Sequence, residues 1–273
     1  MKMGSAARRF EIKTPREHVA LDNQHSCMDV ILKKMDAGLE NILLVGPSGT
    51  GKSVMARMLA KGLSLPFHSV TMTEMTRDSH IWGRTDIKDG ETIDTPGPAT
   101  QAALEGGVLC VDEMNKGDAN INAGMNGLLD CWMSPARTFA TPQGKTMTRH
   151  ADCRIICCSN TDGSGPSSEY VAENRQDASL RDRFPLGVIY VDYDKRLEAS
   201  LAGDTPACKE FLEKVWRLRE DCAKHRIKRV MSTRLVVAGR IMLTATNCDQ
   251  TPAGLIEEFT QSWTPDERAK IGG

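Results

Sequence analysis

The run Gly46-Pro47-Ser48-Gly49-Thr50-Gly51-Lys52-Ser53 follows directly on the apolar residues Ile42-Leu43-Leu44-Val45. A glycine-rich turn between a buried strand and a helix points successive backbone N–H groups at one anion, and the positive end of the helix dipole faces the same place. The pattern G-x-x-x-x-G-K-S therefore describes a cradle for nucleotide phosphates, in which Lys52 reaches the β and γ phosphates and the Ser53 hydroxyl is offered to Mg²⁺. The stretch Val54-Met55-Ala56-Arg57-Met58-Leu59-Ala60 is a good helix former and supplies the helix this geometry needs, so Val54 in its first turn is counted with the cradle. A second set of chemical groups lies in Val108-Leu109-Cys110-Val111-Asp112-Glu113. Its apolar residues bury a strand and deliver two carboxylates to the C-terminal end, where open α/β sheets bind their ligands. Asp112 would orient Mg²⁺ or its water, and Glu113 would polarise the water that attacks a γ-phosphate.

Further apolar runs share this format. Phe67-His68-Ser69-Val70-Thr71 reads as a strand entered at Pro66, and Arg154-Ile155-Ile156-Cys157-Cys158 and Val188-Ile189-Tyr190-Val191 read as two more. Short buried strands separated by helical patterns imply a parallel sheet covered on both faces. Helices are expected over Cys27 to Met35, ending near Gly38, over Ala99 to Glu105, near Ile121 to Asp130 and near Gln176 to Arg181. Two stretches interrupt the alternation. Ile87 to Ile93 carries Asp89-Gly90 between β-compatible flanks, and Thr138 to Thr148 turns at Pro142 to Gly144; both read as hairpins. From Asp194 the strand signals stop. Cys208 to Ala223 suits an amphipathic helix, Ser232 or Thr233 would cap another that runs to Met242, and Pro252 would open a last one. The expected organisation is an irregular arm over 1–23, an α/β core over 24–193 with hairpin insertions near 83–97 and 137–152, and a small all-helical lid over 194–273.

Acidic and basic residues nearly balance, for a formal charge of -1, so there is no global basic field for nucleic acid. The nine cysteines are scattered, with no C-x-x-C pair, which fits reduced thiols in a cytoplasmic protein better than a disulfide framework or a zinc site. Basic residues in Met1 to Phe10 lack an apolar stretch behind them, so no secretory leader is expected, and no run is long enough for a bilayer.

With these motifs in this order the chain resembles the AAA+ ATPases. The resemblance implies a P-loop NTPase fold, a parallel five-stranded sheet with helices on both faces and a C-terminal helical lid, with ATP and Mg²⁺ as cofactors. It gives a sensor role to Asn160, in Cys158-Ser159-Asn160-Thr161, although an Asn at a strand end also suits a turn. Ser179-Leu180-Arg181-Asp182-Arg183-Phe184-Pro185 is similar to the segment whose arginine reaches a neighbouring subunit's γ-phosphate; Arg183 is the first choice and Arg181 the second, and either also fits a surface ion pair. Met231-Ser232-Thr233-Arg234-Leu235 resembles the second sensor motif, and Arg234 in a first helical turn is poorly placed for a cation unless an anion lies there.

Insertions at the two hairpins characterise the helix-2-insert clade. The strings Lys88-Asp89-Gly90-Glu91-Thr92, Gly97-Pro98-Ala99 and Glu105-Gly106-Gly107-Val108-Leu109 look most like the MoxR-like CbbQ, NorQ and CobS subgroup. The resemblance implies a homo-oligomeric ring of six, hairpins near a pore with Lys88 and Lys145 at their tips, and a partner bearing a von Willebrand factor A domain. A nucleic-acid-translocating ATPase is the alternative, opposed by the neutral charge and the low aromatic content. A regulatory switch that binds ATP with little turnover is a third reading, less favoured because Lys52, Asp112, Glu113 and Arg183 are all present.

Overall fold

The computed structural model describes residues 24–161, 178–246 and 249–271, so the expected arm over 1–23 and the start of the helix expected near Gln176 lie outside the described residues. The chain begins with α1 (Met28–Asp36), enters strand β1 (Asn41–Val45) and passes through the glycine-rich turn into α2 (Lys52–Gly62) and β2 (Phe67–Thr71). After a short α3 (Asp78–Trp82) come β3 (Gly83–Lys88) and β4 (Glu91–Pro96), an antiparallel hairpin, then α4 (Pro98–Glu105) and β5 (Gly107–Asp112). Next are α5 (Ala119–Gly124), α6 (Asn126–Asp130), the second hairpin β6 (Thr138–Ala140) and β7 (Thr146–Thr148), and the strand β8 (Cys153–Ser159). A single turn α7 (Ala178–Asp182) leads to β9 (Val188–Tyr190).

The main sheet has five parallel strands in the order β2-β5-β8-β1-β9. Its strands are apolar throughout because both faces are covered. Leu43, Val45, Leu109, Val111, Ile155 and Cys157 pack on one side with α4 and α6, whereas Ile42, Leu44, Val108, Cys110, Ile156 and Cys158 meet α1 and α2 on the other. The alternation of the two sets is the period of two that an extended chain imposes. Every cysteine that the structure describes is free, and all but Cys27 are buried. Burial pushes the Cys157 thiol well above its ordinary value, which suits a packing group rather than a nucleophile.

Both hairpins form where their turn residues direct. Lys145 at the second hairpin pairs with Asp94 of the first, Nζ to Oδ2 at 2.8 Å, and Trp82 packs on Phe139 between their bases with ring centroids 5.8 Å apart. The helix expected over Ile121 to Asp130 is instead broken into α5 and α6 at Met125. Asn120, Asn122, Gly124, Asn126 and Gly127 explain the break, since Asn and Gly are poor helix formers.

Beyond β9 the chain is helical: α8 (Lys195–Ala202), α9 (Pro206–His225), α10 (Thr233–Thr244), α11 (Pro252–Thr260) and α12 (Pro265–Lys270). Neither α8 nor α12 is among the expected helices, and Pro252 does not open the last one. Both carry capping signals, Asp194 accepting from the backbone of Arg196 and Leu197, and Thr264 with Glu267 forming a capping box. Ala202, Phe211, Leu212, Val215, Val236 and Leu255 form one buried cluster here, and Leu218, Cys222, Met231 and Trp263 a second. No described helix is long and apolar enough to cross a membrane.

Gly239, in the middle of α10, lies against the Phe211 ring; a Cβ there would come within 2.0 Å of it. Helix propensity alone would favour Gly239→Ala by about 1 kcal/mol, but Phe211 is buried and has nowhere to go, and overpacking costs about 1–3 kcal/mol. Gly239→Ala should therefore lower the melting temperature of the protein, measured by circular dichroism, while Ala238→Gly on the exposed side should cost only the propensity term.

Candidate nucleotide site

At the C-terminal edge of the sheet β8 lies between β1 and β5, and this order brings three loops together. Val45 pairs with Ser159, and Val111 with Cys157, so the glycine-rich turn, Asn160 and the carboxylates after β5 emerge side by side. The turn is anchored by Gly46 N–H donating to Ser159 O at 3.2 Å. Thr50 Oγ1 closes it, donating to Pro47 O at 3.1 Å. The Lys52 ammonium folds back over the loop and donates to Gly46 O at 2.6 Å, to Pro47 O at 2.9 Å and to Asn160 Oδ1 at 3.0 Å.

Ser53 and Asp112 meet directly, Oγ to Oδ2 at 2.6 Å. A hydroxyl and a carboxylate beside a phosphate cradle are the hard oxygen donors that Mg²⁺ takes from protein, the rest of its shell being water and phosphate, so the residues present fit that ion. Glu113 sits in the left-handed region, with φ at 54°, and its N–H donates to Asp112 Oδ1 at 3.0 Å. A non-glycine residue there costs on the order of 1–3 kcal/mol and such strain clusters at functional positions. The Glu113 carboxylate accepts from Asn160 Nδ2 at 2.7 Å and pairs with Lys116 at 3.3 Å. Asn160 thus touches Lys52 with one atom of its amide and Glu113 with the other.

These groups line a cavity of about 510 Å³. Its lining includes the polar groups Lys52, Ser53, Asp112, Glu113 and Asn160, the apolar side chains Met58, Leu197, Leu201, Val237 and Ile241, and His25. Arg234 lines the same cavity from the second position of α10. The structure therefore brings together the cradle Gly46 to Val54, Asp112, Glu113, Asn160 and Arg234. Arg181 and Arg183 are not part of this cavity lining. Arg181 is exposed, and Arg183 Nε is paired with Asp130 at 3.1 Å.

Sequence reasoning missed some members of this neighbourhood. Asn115 is fully buried and its Oδ1 accepts from Asn160 N–H at 3.3 Å, and Lys116 holds Glu113; both lie within three residues of the carboxylate pair, so their proximity was a usable signal. Tyr193 was less visible. Its hydroxyl donates to Ser48 O at 2.9 Å from beyond β9.

A strand-loop-helix phosphate cradle facing a strand that ends in two carboxylates, with a polar side chain on the strand between, defines a P-loop nucleoside triphosphatase. The sequence pattern of the AAA domain (dynein-related subfamily) matches residues 41–184, and the chain belongs to that family. ATPase activity and nucleotide binding follow at the level of the family. The chain is similar to an uncharacterised protein of Staphylococcus aureus strain USA300, 29% identical over 160 residues that span 56% of each chain. The corresponding protein of strain NCTC 8325 matches with the same figures. The chain thus spans about half the length of the curated relatives it matches. Among solved structures, NtrX from Brucella abortus aligns with a TM-score of 0.47 at 17% identity, over 92% of this chain and 52% of that one.

One contact in the site is set by the backbone. Gly49 has φ at 76°, and a Cβ there would stand 2.2 Å from Ser232 Cβ, where α10 begins. Gly49→Ala should therefore weaken ADP binding, measured by equilibrium dialysis, without unfolding the sheet. Adding Ser232→Gly should recover the part lost to the clash and leave the part lost to the left-handed backbone.

Proposed function

We propose that this chain is the ATP-hydrolysing subunit of a ring-shaped motor that remodels or activates a protein client. The observation that carries this reading is the convergence of Lys52, Ser53, Asp112, Glu113 and Asn160 on one cavity that Arg234 also lines. The apolar lining of the cavity would take the base, and the cradle the phosphates. Mg²⁺, held by Ser53 and Asp112, would neutralise charge on the β and γ phosphates.

Asn160 gives the site an order of events. A γ-phosphate competes with Asn160 Oδ1 for the Lys52 ammonium and offers its own oxygens to Asn160 Nδ2. Each exchange loosens the hold of Asn160 on Glu113, which is then able to accept the proton of an attacking water. The γ-phosphoryl group leaves ADP as inorganic phosphate, and Arg234 moves with the anion it faces.

Arg183, with Arg181 as second choice, would complete the site of the adjacent subunit in trans, exchanging Asp130 for that subunit's γ-phosphate. A site shared between subunits requires a head-to-tail interface that closes, and the resemblance to the CbbQ, NorQ and CobS subgroup suggests six copies and a von Willebrand factor A partner. Activation of an enzyme or insertion of its metal is the client task we favour. The neutral charge and low aromatic content support a protein client, and the reduced thiols fit a cytoplasmic setting.

Glu113→Gln should cut phosphate release by about 100-fold or more while ATP remains bound, since general-base contributions are of that order; unchanged turnover would remove Glu113 from the role of base. Mixing Lys52→Ala with Arg183→Ala subunits should restore turnover that neither has alone. Recovery with Arg181→Ala instead would reassign the finger, and recovery with neither would argue against a shared site. ATPase stimulation by DNA or RNA in the same assay would overturn the choice of a protein client.

A further inference from the structure

The Glu198 side chain is 0% exposed, although it carries a charge in a segment that otherwise packs apolar residues. Its carboxylate accepts from Arg219 Nη1 at 2.7 Å and Nη2 at 2.6 Å, from Trp216 Nε1 at 2.8 Å and from Thr233 Oγ1 at 2.8 Å. Burial pushes its pKa up, but these hydrogen bonds, Arg219 first, outweigh burial and hold it below the ordinary value. The carboxylate is charged and fully satisfied. A buried ion pair is rarely needed for packing alone, because apolar residues of the same volume hold helices together at least as well.

What distinguishes this pair is where its ends lead. Thr233, one end, donates its N–H to Gly49 O at 3.3 Å. Arg219, the other, lies over the Tyr193 ring at 3.9 Å from the centroid, and the Tyr193 hydroxyl donates to Ser48 O. Two consecutive carbonyls of the phosphate loop are thus gripped from outside the α/β sheet, and the two grips are joined through Glu198. The circuit runs Ser48, Tyr193, Arg219, Glu198, Thr233, Gly49. Arg234 is the next residue after Thr233, so whatever fixes Thr233 fixes the backbone that carries Arg234 to the cavity.

We infer that Glu198 is a positioning residue that couples the phosphate loop to α10, so that a nucleotide held by the loop sets the placement of Arg234. The inference rests on the nucleotide reading above. Fixing the loop around phosphates fixes the Ser48 and Gly49 carbonyls, and the charged, directional bonds of the circuit carry that order into the helices. Apolar contacts would let α10 slide with little loss; a bidentate fork does not.

Hydrogen exchange read by mass spectrometry on the full chain, with and without Mg²⁺ and ADP, tests this. In the unaltered protein ADP should slow exchange in residues 46–60 and in residues 231–240 together. Glu198→Gln keeps the shape of the side chain and removes its charge. Tyr193→Phe keeps the ring over Arg219 and removes one hydroxyl, so its folding does not depend on the buried pair. In both variants ADP should still protect residues 46–60 but lose part of its effect on 231–240, because the Thr233 N–H to Gly49 O bond and the lining of the cavity by Arg234 remain, and ADP affinity should fall by no more than about tenfold, the size of one hydrogen bond. Protection of 231–240 by ADP that is undiminished in both variants overturns the coupling. So does faster exchange across residues 195–260 that is the same with and without ADP, because Glu198 would then serve packing alone. No protection of residues 46–60 in the unaltered protein would overturn the nucleotide reading itself, an outcome separate from these.

Discussion

The pairing of β8 between β1 and β5 is the constraint on which the site depends. Parallel strands in this register end together, and each end carries a group of different chemistry: a cradle after β1, a neutral amide after β8, and two carboxylates at the close of β5. The amide in the middle is what allows a cation and an anion to face one cavity without neutralising each other directly. Lys52 and Glu113 each bond to Asn160. A carboxylate in place of Asn160 would capture Lys52, and an apolar residue would leave both charges without that partner in a half-buried site.

The opposite end of the sheet is organised just as firmly, though by charge rather than by backbone. Arg137 grips Glu40 with both guanidinium arms, at 3.0 and 2.7 Å, and fully buried Arg149 donates to Leu128 O, Asn41 Oδ1 and Cys153 O. These arginines flank the second hairpin, so that insertion is fastened to the first residues of β1 and β8. The sheet therefore carries its reactive groups at one end and the anchorage of its insertion at the other.

Much of this was legible in the sequence, for physical reasons. The strands could be read because a sheet covered on both faces demands unbroken apolar runs, and the hairpins because Asp89-Gly90 and Pro142 to Gly144 are turn chemistry. The residues that converge on the cavity could be singled out because phosphate binding would fix residue types at fixed spacing. What escaped was non-local or short. Glu198 and Arg219 lie on different helices, and nothing in either local pattern announces a partner. The N-cap position of α10 shows a different limit: Ser232 occupies it but makes no side-chain cap bond, because that residue is pressed against Gly49 and the Thr233 hydroxyl is turned to Glu198. The caps at Asp194 and Thr264 were there to be read, and α8 and α12 follow from them.

The two insertions are joined in two places of unlike physics. Near their bases, Trp82 and Phe139 meet inside the core, a contact that charge screening does not weaken. Farther out, the bridge from Lys145 to Asp94 is exposed on both sides and screened within about 8 Å at physiological ionic strength. The pair of hairpins is therefore a hinged fork: rigid at the root, with a clasp between its prongs that ordinary electrolyte loosens. How far the prongs bear a load as one body is a property of the surrounding solution as much as of the chain.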